Sequence, residues 1–201
     1  MKKKISILLL TLLVASSLLA CGKKEDTNEA PKETKKANNT ITQVAVDAIS
    51  EEAEEEYKFG PAELICSIPD GFKETEFAGE YIHKSYPKDL SSINYVISES
   101  DEDPTLVSED EFKAQLENEY KDAYGDDVDI NVTQYDNIVV DGRPGLWIMY
   151  NFDFRSDDYN ALMVILYNGS ESHNITYLQG PGADWMKAFA DSAMSIGFKE
   201  L

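Results

Sequence analysis

Little in this chain is equipped for chemistry. Its 201 residues include two cysteines, Cys21 and Cys66, and two histidines, His83 and His173. With Cys21 assigned to the role argued below, Cys66 stands alone, so neither an internal disulfide nor a multi-cysteine zinc site can be built. No G-x-S-x-G, P-loop, H-E-x-x-H or G-x-G-x-x-G occurs in the sequence. Positive charge is also scarce: 18 basic residues face 38 acidic ones, and only Arg143 and Arg155 are arginines. A net charge of −20 repels nucleic acid and anionic lipid surfaces, and no nucleic-acid partner is expected. No apolar run reaches the roughly 20 residues of a comfortable membrane span.

The longest such run, Ile5 to Leu19, follows Lys2-Lys3-Lys4 and ends at Ala20-Cys21. A basic start, an apolar stretch of about fifteen residues and a small residue before the break are the parts of a secretory signal. An uncleaved transmembrane anchor fits less well, because Ala20-Cys21 follows directly and no stop-transfer pattern does. Leu18-Leu19-Ala20-Cys21 resembles the lipobox of bacterial lipoproteins, with Leu19 bulkier than the favoured residue. The resemblance implies cleavage before Cys21, a diacylglycerol thioether on its sulfur, and a chain held on the cell membrane facing outside the cytoplasm. Cysteine suits this because its sulfur is the side-chain nucleophile effective near neutral pH. Two long acyl chains, at about 0.8 kcal/mol per buried methylene, would make that anchor effectively permanent. Loss of the three signal lysines takes the charge from −20 to −23.

Residues 21–40 are mostly Lys, Glu, Asn and Thr with one proline and no aromatic, a composition unable to bury enough surface to order itself. As a flexible tether they span about 25 Å. Residues 41–56 carry Ile41, Val44, Ala45 and Ala48 at helical spacing but also six acids and no base. They read equally as a short amphipathic helix or as an acidic spacer.

One globular domain is expected over residues 57–201, large enough for a real core. Leu64, Cys66 and Ile68 alternate with polar or outward positions up to the turn Pro69-Asp70-Gly71. Strands are expected near Glu80 to Tyr86 and over Ile93 to Ser98. Ser108-Glu109-Asp110-Glu111 is a capping box, and Phe112, Leu116 and Tyr120 recur at helical spacing until Gly125. Val128, Ile130 and Val132 alternate as a strand, Asp141-Gly142 marks a hairpin, and Leu146 to Phe154 forms a long strand. Ala161 to Leu166 is apolar at every position, which requires cover on both faces. After His173 to Leu178 and the break Gly180-Pro181-Gly182, a stripe of Trp185, Ala188, Phe189, Ser192, Ala193 and Ile196 predicts a helix ending at Gly197.

These parts predict an α+β fold, a three-layer α/β/α sandwich around a central antiparallel sheet of about six to seven strands. The Cys66-Ser67-Ile68-Pro69-Asp70-Gly71-Phe72 turn, the Val140-Asp141-Gly142-Arg143-Pro144-Gly145 hairpin and the Trp185 helix running into Ser195-Ile196-Gly197-Phe198 resemble the PsbP-like fold. That fold is shared by the photosystem II extrinsic subunit, Mog-type Ran-binding proteins and many bacterial lipoproteins. The likeness implies assembly or adaptor work and assigns no functional residue.

Chemistry is harder to place. Cys66 with His83 or His173 is the sole thiol–imidazole pairing available, yet Cys66 shares a face with Leu64 and Ile68 and reads as a small core residue. Ser85-Tyr86-Pro87-Lys88 matches S-x-x-K, but Pro87 opposes the helix that motif needs. Asp127-Val128-Asp129-Ile130-Asn131 opens like a calcium loop but has Val132 where glycine must turn. Glu99 to Asp129 holds thirteen acids against two lysines. Within it Asp101, Glu102, Asp103, Glu109, Asp110, Asp126, Asp127 and Asp129 form the candidate docking patch for a basic protein or envelope partner, with weak calcium screening of Asp101-Glu102-Asp103 and Asp126-Asp127 as the other use. Trp147, Tyr150 and Tyr159 are the alternative, a small-ligand or enzymatic site. No cofactor is implied, and a monomer acting as a non-catalytic binding or accessory module is the expected function.

Overall fold

The computed structural model describes residues 62–100, 103–125 and 128–201. The signal segment, tether and spacer, with Cys21, lie outside them, as do Asp101, Glu102, Asp126 and Asp127. The elements are β1 (Ala62–Ile65), β2 (Phe72–Glu74), β3 (Glu80–His83), β4 (Ser92–Glu99), a 3-10 turn (Pro104–Leu106), α1 (Glu109–Tyr124), β5 (Ile130–Val140), β6 (Arg143–Phe154), β7 (Asp157–Tyr167), β8 (Glu171–Gln179), α2 (Met186–Ala193) and β9 (Gly197–Glu200).

Seven strands form one antiparallel sheet in the order β2-β3-β4-β8-β7-β6-β5, and β1 pairs with β9 in a separate small sheet. Two hairpin turns set the long strands. Asp141 and Gly142 both take left-handed φ values of 51° and 79°, and Arg155 and Ser156 take 53° and 70°. Paired left-handed residues give the turn whose twist matches antiparallel strands. The first has the expected glycine, whereas the second places two ordinary residues there.

Period-two alternation then divides the core. Leu146, Ile148 and Tyr150 of β6, with Ala161, Met163 and Ile165 of β7, meet Phe112, Leu116 and Tyr120 of α1. Trp147 of β6 and Leu162, Val164 and Leu166 of β7 meet Phe189 and Ala190 of α2 on the other face. The sandwich is therefore three-layered, with Ala161 to Leu166 of β7 apolar at every position because helices lie above and below them. Phe112 is fully buried, and Phe112→Ala should cost about 3–5 kcal/mol.

Helix α1 starts as the sequence predicts. Ser108 Oγ accepts from the Glu111 N–H at 3.3 Å and the Glu111 carboxylate accepts from the Ser108 N–H at 3.4 Å. Glu109, Asp110 and Glu111 sit in its first turn, favoured by the partial positive charge there. Gly125 ends it, its N–H donating to the Lys121 carbonyl. Helix α2 has no side-chain cap of its own. Instead Gln179 Oε1 accepts from the N–H groups of Trp185 at 2.7 Å and Met186 at 3.0 Å.

Two expectations are corrected at the chain ends. The last helix stops at Ala193 rather than running to Ile196, and Gly197 opens β9 instead of capping the helix. β9 is drawn away by pairing, with Leu64 opposite Phe198 and Ile65 opposite Gly197. Asp141 Oδ2 accepts the Phe198 N–H at 2.8 Å and would stand 3.3 Å from any Cβ at Gly197. The first strand likewise ends at Ile65, short of Ile68, and belongs to the small sheet rather than the large one.

Candidate functional site

A cleft of about 240 Å³ lies where the β1–β9 layer meets the β3–β4–β8 side of the large sheet. Leu64, Ile65, Cys66 and Ile68 wall it on one side, and Tyr81, Ile93, Tyr95 and Ile175 form the other. Register places the sheet residues: Ile93 lies opposite Tyr177 and Tyr95 opposite Ile175, so all point to the α2 side. Ile65 is 48% exposed, as is much of Ile97 on the same face of β4.

Behind the cleft runs a buried polar chain. The Tyr95 hydroxyl and His173 Nδ1 share a hydrogen bond of 2.7 Å, and the Phe198 ring stands edge-on to His173 at 5.2 Å. His173 is buried, and its Nε2 has no hydrogen-bond partner; the Glu171 carboxylate is 3.8 Å away. Burial lowers the His173 pKa, Glu171 opposes that and Arg143 adds to it, leaving the ring neutral near pH 7. Burial, together with the carboxylates of Glu171 and Glu63 and the Cys66 thiol, pushes the Tyr95 phenol up to about 12. Arg143 is buried as well. It donates to Asn168 Oδ1 at 2.8 Å and Glu200 Oε1 at 2.9 Å, and its guanidinium lies 4.3 Å from the Phe198 ring centre.

Cys66 is a half-buried free thiol, packed against the α2-side core as its alternation predicts. Burial pushes its pKa up, only partly offset by the Tyr177 hydroxyl, so the thiolate needed of a nucleophile is disfavoured. Neither histidine serves it as a base. His173 is engaged with Tyr95, and His83 Nδ1 lies 3.4 Å from Asp89, which also accepts from the Trp185 indole N–H and the Ser91 N–H, each at 2.9 Å. Burial would raise Asp89, but bonds from Ser91 and Trp185 and the nearby His83 bring it below its ordinary value.

The candidate acidic patch is divided. Asp103 caps the 3-10 turn, accepting from the Thr105 N–H at 2.8 Å and its hydroxyl at 2.7 Å. Glu109 and Asp110 are exposed at the start of α1, and exposed Asp129 precedes β5 at its far end. A helix of 16 residues separates them by about 24 Å. The described members thus make two acidic ends rather than one patch. Asp129 keeps company with Asp153 and Asp158; the hydrogen bond between the latter two raises the Asp153 carboxyl. Among the described residues no three His, Cys, Asp or Glu side chains converge as a metal site.

The aromatic alternative does not assemble. Trp147 faces α2, whereas Tyr150 and Tyr159 face α1, with Tyr150 hydroxyl 3.0 Å from that of Tyr120. A sheet separates the three, and each is core. The cleft had no sequence signal, because Tyr95 and His173 meet across 78 residues of chain. Arg143 did carry one: an arginine opening a strand otherwise apolar must find partners inside.

No protein-family description matches the chain, and no curated protein does. Solved structures do share the fold. The solution structure of cyanobacterial PsbP (CyanoP) from Synechocystis sp. PCC 6803 matches with a TM-score of 0.52 at 16% identity, over 70% of this chain and 95% of that one. LpqN of Mycobacterium tuberculosis, described as involved in cell envelope biogenesis, matches with a TM-score of 0.46 at 11% identity, over 70% of this chain and 85% of that one. The α+β sandwich of this chain is thus the fold of a PsbP protein. Among the described residues, no helix is long and apolar enough to cross a membrane.

Proposed function

We propose that the chain is a lipid-anchored accessory module, held outside the cytoplasm by Cys21, that binds a protein or envelope component without catalysing a reaction. The observation that carries this reading is the cleft: a mainly apolar recess with half-exposed Ile65 at its mouth, backed by the Tyr95–His173 and Arg143–Asn168 hydrogen bonds. Exposed apolar surface gathered at a recess marks a contact site. A fold shared with PsbP supports an accessory role, and the Leu18 to Cys21 sequence supports the anchor.

The test is affinity capture from solubilised envelope with the wild-type chain and with Ile65→Asp, read by mass spectrometry. One partner enriched near one to one and lost with Ile65→Asp is expected. If capture survives Ile65→Asp and is lost when Asp103, Glu109 and Asp110 are neutralised, the acidic start of α1 is the docking surface instead. Anchoring has a separate measurement: Cys21→Ser should abolish incorporation of labelled palmitate, and unchanged labelling would remove the anchor from this account.

A further inference from the structure

We propose that the cleft is covered by the chain's own residues 56–59, folded back through Gly60-Pro61 as a strand on the free edge of β1, with the Tyr57 ring seated in the cleft beside Leu64. The cover itself goes beyond the docking reading. Its consequence for binding rests on that reading: a partner reaches the cleft by displacing this segment.

The structure supplies a free edge with apolar surface beside it. Among the described residues β1 pairs with β9 alone. Phe198 of β9 packs on His173 and Arg143, whereas the far wall of the cleft comes from Tyr81 of β3 and from Ile93 and Tyr95 of β4, so the cleft opens along the side of β1 that β9 leaves unpaired. Ile97, two residues beyond Tyr95 and on its face, is 51% exposed. An unpaired edge next to apolar surface is where a further strand adds. Chain length makes the occupant local, since β1 begins at Ala62 and the residues just before it cannot lie far from that edge.

The sequence matches the register such a hairpin imposes. Residues 1–61 hold two aromatics, Tyr57 and Phe59, and Lys58 between them is the one base from Ile41 to Pro61. A two-residue loop at Gly60-Pro61 sets Phe59 opposite Ala62, Lys58 opposite Glu63 and Tyr57 opposite Leu64. Glycine suits the first loop position of a type II′ turn, and proline, whose ring fixes φ at about −65°, suits the second. Ala62 and Leu64 are the inward positions of β1, and Glu63 and Ile65 the outward ones. Tyr57 and Phe59 would therefore face the sheet and Lys58 the solvent. There Lys58 completes a row of alternating charge, because Lys199 of β9 already lies opposite Glu63 on its other side. A slip of one residue would put both aromatics in water and turn Lys58 toward the cleft. At about 240 Å³ the cleft exceeds the roughly 150 Å³ cavity that admits a benzene ring, so one tyrosine ring fits.

The test reads Cys66, a free thiol that lines the cleft, in the full chain labelled in cells with iodoacetamide, modification of the Cys66 peptide being followed by mass spectrometry. Tyr57→Ser with Phe59→Ser should raise the rate about tenfold or more over the wild type. Lys58→Glu, which sets two acids opposite each other, should raise it about twofold to fivefold, and adding Glu63→Lys should bring it back toward the wild-type rate. Rescue by the charge swap is a result that unfolding does not give. Equal rates in the wild type and in the Tyr57→Ser with Phe59→Ser variant would overturn the inference. So would a wild-type rate that falls as expression rises, since a second copy would then be the cover. Capture with Ile65→Asp decides the docking reading apart from this. A partner captured more strongly by the Tyr57→Ser with Phe59→Ser variant than by the wild type supports displacement, whereas no captured partner beside unequal labelling leaves the cover in place and removes only the docking.

Discussion

Arg143, near the start of β6, and Glu200, at the end of β9, are joined across 57 residues by a contact of 2.9 Å. The two ends of that contact differ in environment: the arginine side chain is 3% exposed and the glutamate 68%. Removing the buried partner should therefore cost far more than removing the exposed one. Arg143→Met strands the Asn168 carbonyl and the Phe198 ring, for an expected loss of about 2–4 kcal/mol. Glu200→Gln should cost less than about 1 kcal/mol. Urea denaturation of both variants checks the order, and a reversed ranking would contradict the burial argument.

The Tyr120 and Tyr150 hydroxyls, 3.0 Å apart in the α1-side core, should behave as a unit. Burial raises both phenols well above their ordinary values, so each stays protonated and neutral. Tyr120→Phe or Tyr150→Phe alone leaves one buried hydroxyl without its partner, at about 1–2 kcal/mol. The double variant should cost less than the sum of the singles, by about 0.5 kcal/mol or more. Strict additivity in a double-mutant cycle would show that the hydroxyls do not depend on each other.

The pair also shows what the sequence made legible. Phe112, Leu116 and Tyr120 announce their helix by spacing and by Ser108, and the apolar run of β7 announces cover on two faces. Those signals are local. β4 lies beside β8 rather than beside the strand that follows it, and no local pattern reports such a pairing. The cleft is made of just those distant neighbours, so its residues looked like ordinary strand positions. The final stripe misled for a related reason: Ile196 fits the helical spacing of Phe189 and Ser192, but the turn ends at Ala193 because Phe198 has partners on β1 and under β9.

Gln179 is a second long-range device, since it caps α2 from the end of β8. Gln179→Ala should destabilise by about 1 kcal/mol, close to the cost of Ser108→Ala at α1, though only Ser108 sits at a cap position in its own helix. Thermal unfolding should place the two variants within a few degrees of each other. A neutral Gln179→Ala would mean that water replaces the carbonyl without loss.

His173 should make stability fall on mild acidification. Its pKa is lowered in the folded chain, so as pH drops through about 6.5 the unfolded chain takes up the proton first and gains stability relative to the native state. The loss runs from about pH 6.5 down to the folded value, at no more than about 1.4 kcal/mol per pH unit. Glu171, Arg143 and Tyr95 are the charged and titratable groups facing it, and Asp89, a lowered carboxylate, acts only at more acid pH. Between pH 7.5 and 5.5 the melting temperature of the wild type should fall more than that of His173→Gln. Parallel profiles would assign the acid sensitivity elsewhere.

The pairing of β1 with β9 also defines a path for force. Ala62 is the first described residue and lies opposite Glu200, so the strand that receives the N-terminal segment is held at that end by the last strand of the fold. Tension applied along the chain from the N-terminal side would meet this four-pair ladder before any strand of the seven-stranded sheet. Because Leu64 and Ile65 of that ladder wall the cleft, a pull that opened β1 would open the cleft with it, so that a bound partner and tension on the chain would act against each other.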